Sequence, residues 1–209
     1  MSRPAFDPEE AAAHLRTNDK ILGAAMDRIG AFALKPRPAR SLFEAVLQSI
    51  IYQQLHGKAA ATIHDRVLTE LLPHGGANPD SVLSAPDDAL RRAGLSANKL
   101  LAVRDLASKC REGTVPTLKE ARRLSDAELV ARLTEVRGVG EWTVQMLLIF
   151  YLGRPDILPT GDFAIRAAFQ RLYRKRKDPT PEAITRHARR WQPYRSVASW
   201  YLWRSHELD

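Results

Sequence analysis

The sequence predicts an all-α protein, and three observations support this prediction. Apolar residues recur at helical spacing through most of the chain. Capping residues and segments rich in proline and glycine separate these stretches from one another. No stretch alternates between apolar and polar residues in the way that a half-buried strand does. We therefore expect about ten helices, no sheet and no internal repeat.

Two helices in the N-terminal part are marked by the residues that begin them. Asp7 precedes Pro8, the usual order of an N-cap residue and a first-turn proline. Ser41 and Glu44 have the spacing of a capping box, in which each side chain accepts a hydrogen bond from the backbone of the other residue. We expect the helix after Ser41 to be buried on more than one side and to extend to Leu55.

Later helix boundaries carry similar signals. Gly94 is expected to end one helix and Ser96 to begin the next. Ser125 and Glu128 again have capping-box spacing. Loops are predicted where proline and glycine cluster, at residues 35–38, 73–79, 153–161 and 178–181.

Composition limits the classes of function. The chain has 32 Lys and Arg residues against 24 Asp and Glu, a net charge of +8. This excess favours a polyanionic partner such as nucleic acid, although a solubilising surface would show it too. Cys110 is the only cysteine, so no internal disulfide and no thiolate-bound iron–sulfur or zinc site can form. We expect a cytoplasmic protein, associated with the nucleoid if its source is bacterial.

No feature of the sequence predicts a membrane segment or a metal site built from histidines. No apolar run is long enough to cross a bilayer, and the first ten residues lack the apolar core of a secretory signal. His56 and His64 do not form a convincing metal-binding pair. We therefore expect no membrane association and no cofactor.

The most informative segment is Gly138-Val139-Gly140, which joins two apolar helical stretches. Two glycines one residue apart let the backbone turn sharply and lie close to a ligand. The N–H groups that begin the second helix, with Thr143, then form a site for a phosphate beside the positive end of the helix dipole. Val139 is expected to anchor the turn in the core. The alternative is a tight turn with no ligand.

Asp162 follows Gly161 at the start of another helical stretch. Its simplest role is that of a helix N-cap. The helix dipole also keeps such a carboxylate ionised, so a capping role and a catalytic role are compatible.

The hairpin and the Pro-Thr-Gly-Asp sequence at residues 159–162 together resemble the signature of the helix-hairpin-helix (HhH-GPD) DNA glycosylase superfamily. Within it, the chain is most similar to the 3-methyladenine DNA glycosylase II family. Further similar segments are residues 50–60 with a Gln-Gln junction, residues 92–99 with Gly-Leu-Ser, and residues 191–203 with Trp-Gln-Pro-Tyr-Arg-Ser. The hairpin alone would indicate DNA binding but no particular chemistry.

The resemblance implies two helical lobes flanking an active-site cleft, without the N-terminal α+β domain of larger members. We expect one domain over residues 1–209, with a helical lobe at about 41–160 and a second lobe formed by about 1–40 and 161–209. Members with lyase activity have a lysine where this chain has Trp142. The resemblance therefore implies a compact member that hydrolyses the base and does not cleave the strand.

The implied activity is that of a monofunctional glycosylase that flips alkylated purines, of the 3-methyladenine and 7-methylguanine type, out of duplex DNA in base excision repair. Asp162 is expected to stabilise the charge that develops on the sugar and to accept a proton from the attacking water. Trp142 and Tyr194 are expected to form the base pocket by cation–π contact. Trp200 and Trp203 are interpreted as core residues.

The expected partner is double-stranded DNA that contains a damaged base, bound by a monomer. Besides the hairpin, Gln54 is the first candidate for the wedge that fills the gap left by the flipped nucleotide, and Leu55 is the second. Helix-end packing is the alternative for both. The carbonyl groups of Gly138 and Gly140 are a candidate site for a monovalent cation.

The sequence does not decide the roles of several basic residues. Arg166 and Arg195 either contact phosphates or pair with local acids, and residues 174–177 are interpreted as a solvated loop that adds general attraction to DNA. Two other functions compete with the glycosylase. A non-catalytic DNA-binding module needs no carboxylate at Asp162, and a bifunctional glycosylase and lyase is disfavoured by Trp142.

Overall fold

The computed structural model describes residues 6–208, which contain helices and no strand, so the predicted fold class is confirmed. Residues 1–5 and 209 of the predicted domain lie outside this range. The α-helices are α1 (Pro8–Asn18), α2 (Lys20–Ile29), α3 (Leu42–Tyr52), α4 (Gly57–Leu71), α5 (Pro79–Ser84), α6 (Asp87–Arg92), α7 (Ala97–Arg111), α8 (Leu118–Ala121), α9 (Asp126–Leu133), α10 (Glu141–Phe150), α11 (Phe163–Leu172), α12 (Pro181–His187) and α13 (Arg195–Arg204). Short 3₁₀ helices cover Leu72–His74, Ala188–Trp191 and Ser205–Leu208. None of the described helices is long and apolar enough to cross a membrane.

Residues 6–208 thus form thirteen α-helices, more than the number that the periodicity predicts. The additional ones are short: α5 and α6 have six residues each and α8 has four. Helices of this length make fewer than two turns, so their apolar residues do not repeat often enough to reveal a period.

The predicted helix starts are present, with one difference. Asp7 caps α1 by accepting a hydrogen bond from the Glu9 N–H, and the Ser125 and Glu128 pair at α9 forms a complete capping box. Ser41 also caps α3, but the carboxylate of Glu44 accepts from the backbone N–H of Arg40 instead of from Ser41. The second half of that predicted box is therefore replaced by a contact one residue earlier.

The chain divides into two compact units, after Pro38 and after Leu147. We call residues 39–147 the central unit, and residues 6–38 with 148–208 the terminal unit. The sequence places residues 148–160 with the central stretch, but in the structure they belong to the terminal unit. The reason is that these residues form hydrogen bonds with other segments of the terminal unit. The Arg37 N–H donates to the Phe150 carbonyl at 2.7 Å, and the Ile157 N–H donates to Ser196 Oγ at 2.9 Å.

The core of the terminal unit contains large side chains from helices that come from both ends of the chain. The buried cluster includes Leu15 of α1, Met26 of α2, Phe169 of α11, Trp191 of the 3₁₀ helix Ala188–Trp191, and Tyr201 of α13. Such residues recur three or four positions apart along their helices, which gives each helix one apolar face.

One buried carboxylate, Asp19, lies within this aromatic core. It accepts hydrogen bonds from Tyr173 Oη at 2.7 Å, His187 Nε2 at 2.8 Å and Trp191 Nε1 at 2.9 Å, and it caps α2 through the Leu22 N–H at 3.1 Å. Burial raises the pKa of Asp19, but these donors outweigh it and hold the pKa far below its usual range. Asp19 is therefore ionised and joins the first and last thirds of the chain.

In the central unit, one glycine shows how closely the helices pack. Gly94, between α6 and α7, has φ +115°, and a Cβ added there would lie 2.9 Å from Cγ1 of Ile63. Both the dihedral angle and the contact require glycine. Ser96 then caps α7 by accepting from the Lys99 N–H, so the predicted boundary between the two helices is confirmed.

Candidate functional site

The hairpin between α9 and α10 has the predicted geometry. Gly138 is in the left-handed region with φ +74°, and both Gly138 and Gly140 are exposed. Val139 between them is buried, and its N–H donates to the Val136 carbonyl at 3.0 Å. The buried valine fixes the turn while the flanking glycine backbone stays accessible to a ligand.

Two side chains from other helices hold this hairpin in place. Asp105 of α7 accepts from the Arg137 N–H at 2.7 Å and pairs with Lys109 at 2.7 Å. Burial raises the pKa of Asp105, but the Arg137 N–H and the Lys109 ammonium outweigh it and leave the pKa below its ordinary value. From the other side, Gln53 Nε2 donates to the Gly138 carbonyl at 2.9 Å.

The Gln53 amide bears on two of the predicted roles. It donates to the Gly138 carbonyl, one of the two oxygens that the sequence offers to a monovalent cation. An oxygen that already accepts a hydrogen bond is a poorer cation ligand, so Gly138 suits this role less well than the sequence suggests. It also lies 3.5 Å from Thr143 Oγ1, and Thr143 is buried. The Thr143 side chain is therefore packed against the hairpin, and its contact with DNA stays a prediction.

The turn after α3 differs from the prediction. The sequence extends this helix to Leu55, but α3 ends at Tyr52, and Gln54 is in the left-handed region with φ +57°. The cause is Lys99 of α7, whose ammonium donates to the carbonyls of Ile51 at 2.6 Å and Gln53 at 2.8 Å. The lysine caps the helix end, and the chain then turns.

Because of this turn, both wedge candidates are presented to solvent. Gln54 and Leu55 are exposed, and the exposed fraction of Leu55 is 38 %. A left-handed conformation at a residue other than glycine costs about 1–2 kcal/mol and is enriched at functional sites. Gln54 therefore lies outside the helix, whereas for Leu55, which is more than half buried, the wedge and helix-end packing both stay predictions.

We expect Lys99→Met to destabilise the turn that exposes Gln54 and Leu55. Methionine keeps the length of the side chain but leaves the two carbonyls at the end of α3 without their charged donor, at a cost of about 1.5–3 kcal/mol. Affinity for a duplex with a damaged base should fall about tenfold, since this corresponds to 1.4 kcal/mol of lost preorganisation. Lys119→Met, an exposed residue of α8, is the control. Equal affinities for the two variants in a fluorescence titration would contradict the role of Lys99.

Asp162 is the N-cap of α11, as predicted. Its Oδ1 accepts from the Ile165 N–H at 2.9 Å, and the indole Nε1 of Trp203 donates to the same oxygen at 3.1 Å. The carboxylate is partly exposed. Interpreting Trp203 only as a core residue is therefore incomplete, because it also orients Asp162.

An aromatic and cationic surface continues from Trp203 within the terminal unit. The Trp203 ring stacks on Phe150, with centroids 5.6 Å apart and planes inclined by 27°. The exposed guanidinium of Arg37 lies 5.7 Å from the Phe150 centroid and 6.0 Å from that of Tyr151. These contacts join residues that are far apart in sequence, so no local motif reveals them.

Phe163, directly after Asp162, is the most exposed large apolar side chain in the described residues, with 83 % of its surface accessible. The sequence contains a signal for this exposure. The buried stripe of α11 runs through Ile165, Ala168 and Phe169, and Phe163 lies outside it. An apolar ring at the first position of α11, beside the carboxylate, is suited to contact a planar or apolar ligand.

The two predicted base-pocket residues have different environments. Trp142, in the first turn of α10, is 48 % exposed, which excludes ordinary core packing. Tyr194 contacts the N-terminal part of the chain: its hydroxyl donates to Glu10 at 2.9 Å, and its ring lies near Phe6 and His14. The aromatic residue hydrogen-bonded to Asp162 is Trp203, and the role of Tyr194 in a base pocket stays a prediction.

The structure shows the partners of the two arginines, Arg166 and Arg195, whose roles the sequence does not decide. Arg195 binds Asp156 with two hydrogen bonds, of 2.7 Å from Nε and 2.8 Å from Nη2, and Arg166 pairs with Asp178. Both arginines therefore pair with local acids. Within residues 6–208 no group of three potential metal ligands lies together.

Comparisons with known proteins agree with this geometry. A family model described as "HhH-GPD superfamily base excision DNA repair protein" matches residues 47–193. The DNA-3-methyladenine glycosylase 1 of Schizosaccharomyces pombe is 37 % identical over 177 residues, which are 82 % of this chain and 78 % of the relative. A solved structure of the S. pombe 3-methyladenine DNA glycosylase in complex with abasic DNA has a TM-score of 0.77 and 34 % identity, covering 93 % of this chain and 95 % of that one. A DNA-3-methyladenine glycosidase from Bacillus halodurans has a TM-score of 0.84 and 29 % identity, covering 97 % and 91 %.

Proposed function

Because the chain belongs to the HhH-GPD superfamily of base excision DNA repair proteins, we propose that it is a monofunctional DNA glycosylase. Its substrate is duplex DNA that contains an alkylated purine of the 3-methyladenine or 7-methylguanine type. It acts as a monomer in the cytoplasm and hydrolyses the N-glycosidic bond. The names of the relatives, which include two 3-methyladenine glycosylases, support this substrate class.

The hairpin supplies the non-specific part of DNA binding. The exposed glycine backbone on either side of buried Val139 is suited to a phosphate, because N–H groups at the start of α10 lie at the positive end of the helix dipole. A phosphate contact positions the duplex without reading a base. The exposed turn with Gln54 and Leu55 then supplies the wedge that replaces the flipped nucleotide.

One observation carries the chemistry: a partly exposed carboxylate, Asp162, held at the start of α11 by Ile165 and Trp203. An N3- or N7-alkylated purine is cationic and leaves readily, so the base needs little protonation. As the bond between C1′ and the base nitrogen breaks, its electron pair goes to the base and positive charge grows on the sugar. The negative charge of Asp162 stabilises that charge. Water then bonds to C1′ and gives a proton to the carboxylate, which leaves a free base and an abasic site.

Recognition of the cationic base follows from the exposed aromatic rings. A cation over an aromatic face gains about 0.5–2 kcal/mol. Trp142 in the central unit is half exposed, so its ring can contact a ligand without displacing core residues. Phe163 in the terminal unit is almost fully exposed, and the same holds for its ring. Trp142 also occupies the position where lyase members have a lysine, which favours hydrolysis over strand cleavage.

The test is to incubate the protein with a set of duplexes, each carrying one damaged base. We expect release of the free alkylpurine, detected by chromatography, and formation of abasic sites without strand breaks. Release of no base from any duplex, with DNA binding intact, would favour the non-catalytic binding module. A covalent complex trapped by borohydride, together with strand cleavage, would favour the bifunctional glycosylase and lyase.

We expect Trp203→Phe to lower kcat about tenfold with little change in KM. Phenylalanine preserves stacking on Phe150 but removes the N–H that donates to Asp162, so the carboxylate loses one of the bonds that orient it. One hydrogen bond to a charged acceptor is worth about 1.5–3 kcal/mol. Trp200→Phe is the matched control, since Trp200 packs edge-on against Phe32 elsewhere in the terminal unit. If both variants lose kcat equally, or if KM alone changes, Trp203 is not a positioning residue.

A further inference from the structure

A strongly basic cleft lies at the end of α11 opposite Asp162. Its volume is about 460 Å³, and no Asp or Glu residue lines it. The polar residues of its wall are Lys175, Arg176, Lys177, Arg186, His187 and Arg190. We call this feature the basic cleft. Phe169 of α11 lines the cleft and lies seven residues after Asp162, which corresponds to about 10 Å along the helix axis.

The cations of the basic cleft come from two segments. Lys175, Arg176 and Lys177 are consecutive in the loop after α11, and all three are exposed. Arg186 and Arg190 are four residues apart, at the end of α12 and in the 3₁₀ helix that follows, and they are also exposed. The two segments together place five positive charges around one concavity. Their mutual repulsion is relieved when a polyanion binds.

Carboxylates that lie beside the cleft in sequence, or that bond to its wall, interact with other partners. Asp178, which follows Lys177, pairs with Arg166. Asp19 accepts from His187 at 2.8 Å, on the buried side of that histidine. Glu182, which precedes the lining residue Ala183, interacts with the side chain of Thr180. None of these three acids lines the cleft, so its five cations remain in excess over them.

The wall formed by α12 is fixed before any ligand binds. The His187 ring is held by Asp19 and packs edge-on against Phe169, with centroids 5.1 Å apart, and against Tyr173 at 4.3 Å. Arg190 is tied to the same segment by a hydrogen bond from Nε to the His187 carbonyl at 3.2 Å. Binding an anion there requires ordering of long side chains but no rearrangement of the helix.

We propose that the basic cleft binds the phosphodiester backbone of DNA at a second, non-catalytic contact. This proposal rests on the proposed function, since a DNA repair protein meets undamaged backbone far more often than a lesion. Two cationic segments that line one open cleft offer several phosphates a charged partner, and binding of this kind reads no sequence. The contact increases the time that the protein spends on undamaged DNA without taking part in base removal.

The test compares binding of undamaged duplex by wild type and by the triple variant Lys175→Gln, Arg176→Gln, Lys177→Gln. Fluorescence anisotropy is measured over a range of salt concentrations. Each lost phosphate contact lowers the slope of log affinity against log salt by about 0.9, so we expect a decrease of about two to three. The Kd at 0.1 M salt should rise about tenfold or more. The rate of base release at saturating enzyme should not change.

The matched control removes three exposed cations that do not line the cleft: Lys20→Gln, Lys119→Gln and Arg123→Gln. It changes the net charge equally, so it should alter the Kd less than about twofold if the cleft makes direct contacts. Equal weakening of both variants, or of neither, overturns the proposal. If wild type releases no base at all, the proposed function fails, while the salt slopes still decide the role of the cleft.

Two further measurements identify the source of the anion. Inorganic phosphate or a free nucleotide that binds wild type but not the triple variant, with duplex binding unchanged, assigns the cleft to a small phosphate ligand and overturns the proposal. Polyglutamate that binds in the same selective way assigns it to an acidic protein partner, with the same consequence. If undamaged duplex displaces both probes from the wild-type protein, the result supports the DNA contact.

Discussion

Replacing Asp162 with asparagine is expected to lower the rate of base release by about 100- to 1,000-fold, the range found when a fixed electrostatic group is removed from an active site. Asparagine caps helices as well as aspartate does, so α11 should keep its start and the protein its stability. The amide oxygen can still accept from Ile165 and Trp203. What the substitution removes is the negative charge that meets the cationic sugar.

The measurement is a single-turnover assay of free base released from a duplex with one methylated purine, with enzyme in excess. Asp7→Asn is the matched control, because Asp7 is also an N-cap aspartate of the terminal unit and caps α1 through the Glu9 N–H. We expect Asp7→Asn to release base at the wild-type rate. Affinity for undamaged duplex should be the same in all three proteins. A wild-type rate for Asp162→Asn would remove the basis of the proposed mechanism.

The largest expected effect on stability is that of Asp19→Ala, about 3–5 kcal/mol. This substitution leaves three donors in the core without an acceptor, those of Tyr173, His187 and Trp191, and it removes the cap of α2. A loss of this size is a large part of the stability of an average domain, so this variant can fail to fold. Asp19→Asn keeps an acceptor but loses the charge, and we expect it to cost about 1–3 kcal/mol.

Urea unfolding measures the free energy of unfolding of both variants, compared where the slope m against urea concentration is unchanged. Asp27→Ala is the control. Asp27 pairs with Arg16 on the surface, where 67 % of its side chain is exposed, so its loss should cost less than about 1 kcal/mol. A loss for Asp19→Ala no larger than that for Asp27→Ala would show that the buried carboxylate is not needed.

The same carboxylate predicts a dependence of stability on pH. Its pKa is lower in the folded protein than in the unfolded chain, where Asp titrates near about 3.9. The stabilisation by Asp19 is therefore complete above about pH 5 and decreases as the pH falls below about 4. The difference in unfolding free energy between wild type and Asp19→Asn should become smaller over that range. A constant difference would contradict the low pKa.

Features set by neighbouring residues are the ones that the sequence predicts well. The caps at Asp7, Ser125 and Asp162 each depend on a donor two or three residues away, and all three are present. The turn at Gly138 and Gly140 and the buried Val139 are equally local. Helix starts and the hairpin could therefore be read from short segments.

Features set by distant residues could not be predicted in this way. The end of α3 depends on Lys99, which is 46 residues beyond the Gln53 carbonyl that it binds. The donor to Asp162 is Trp203, 41 residues further along the chain. Likewise, the partners of Arg166 and Arg195 could only be chosen once Asp178 and Asp156 were located. Each of these contacts requires the tertiary fold.

The hairpin of the central unit is not an independent module that could be moved to another scaffold as a short sequence. Its turn is held by Gln53 on one side and by Asp105 on the other, and the end of the Gln53 helix is held in turn by Lys99. A transplant of residues 133–147 alone would lose all three supports. A designer who wished to reuse it would have to include the end of α3 and the part of α7 from Lys99 to Asp105 as well.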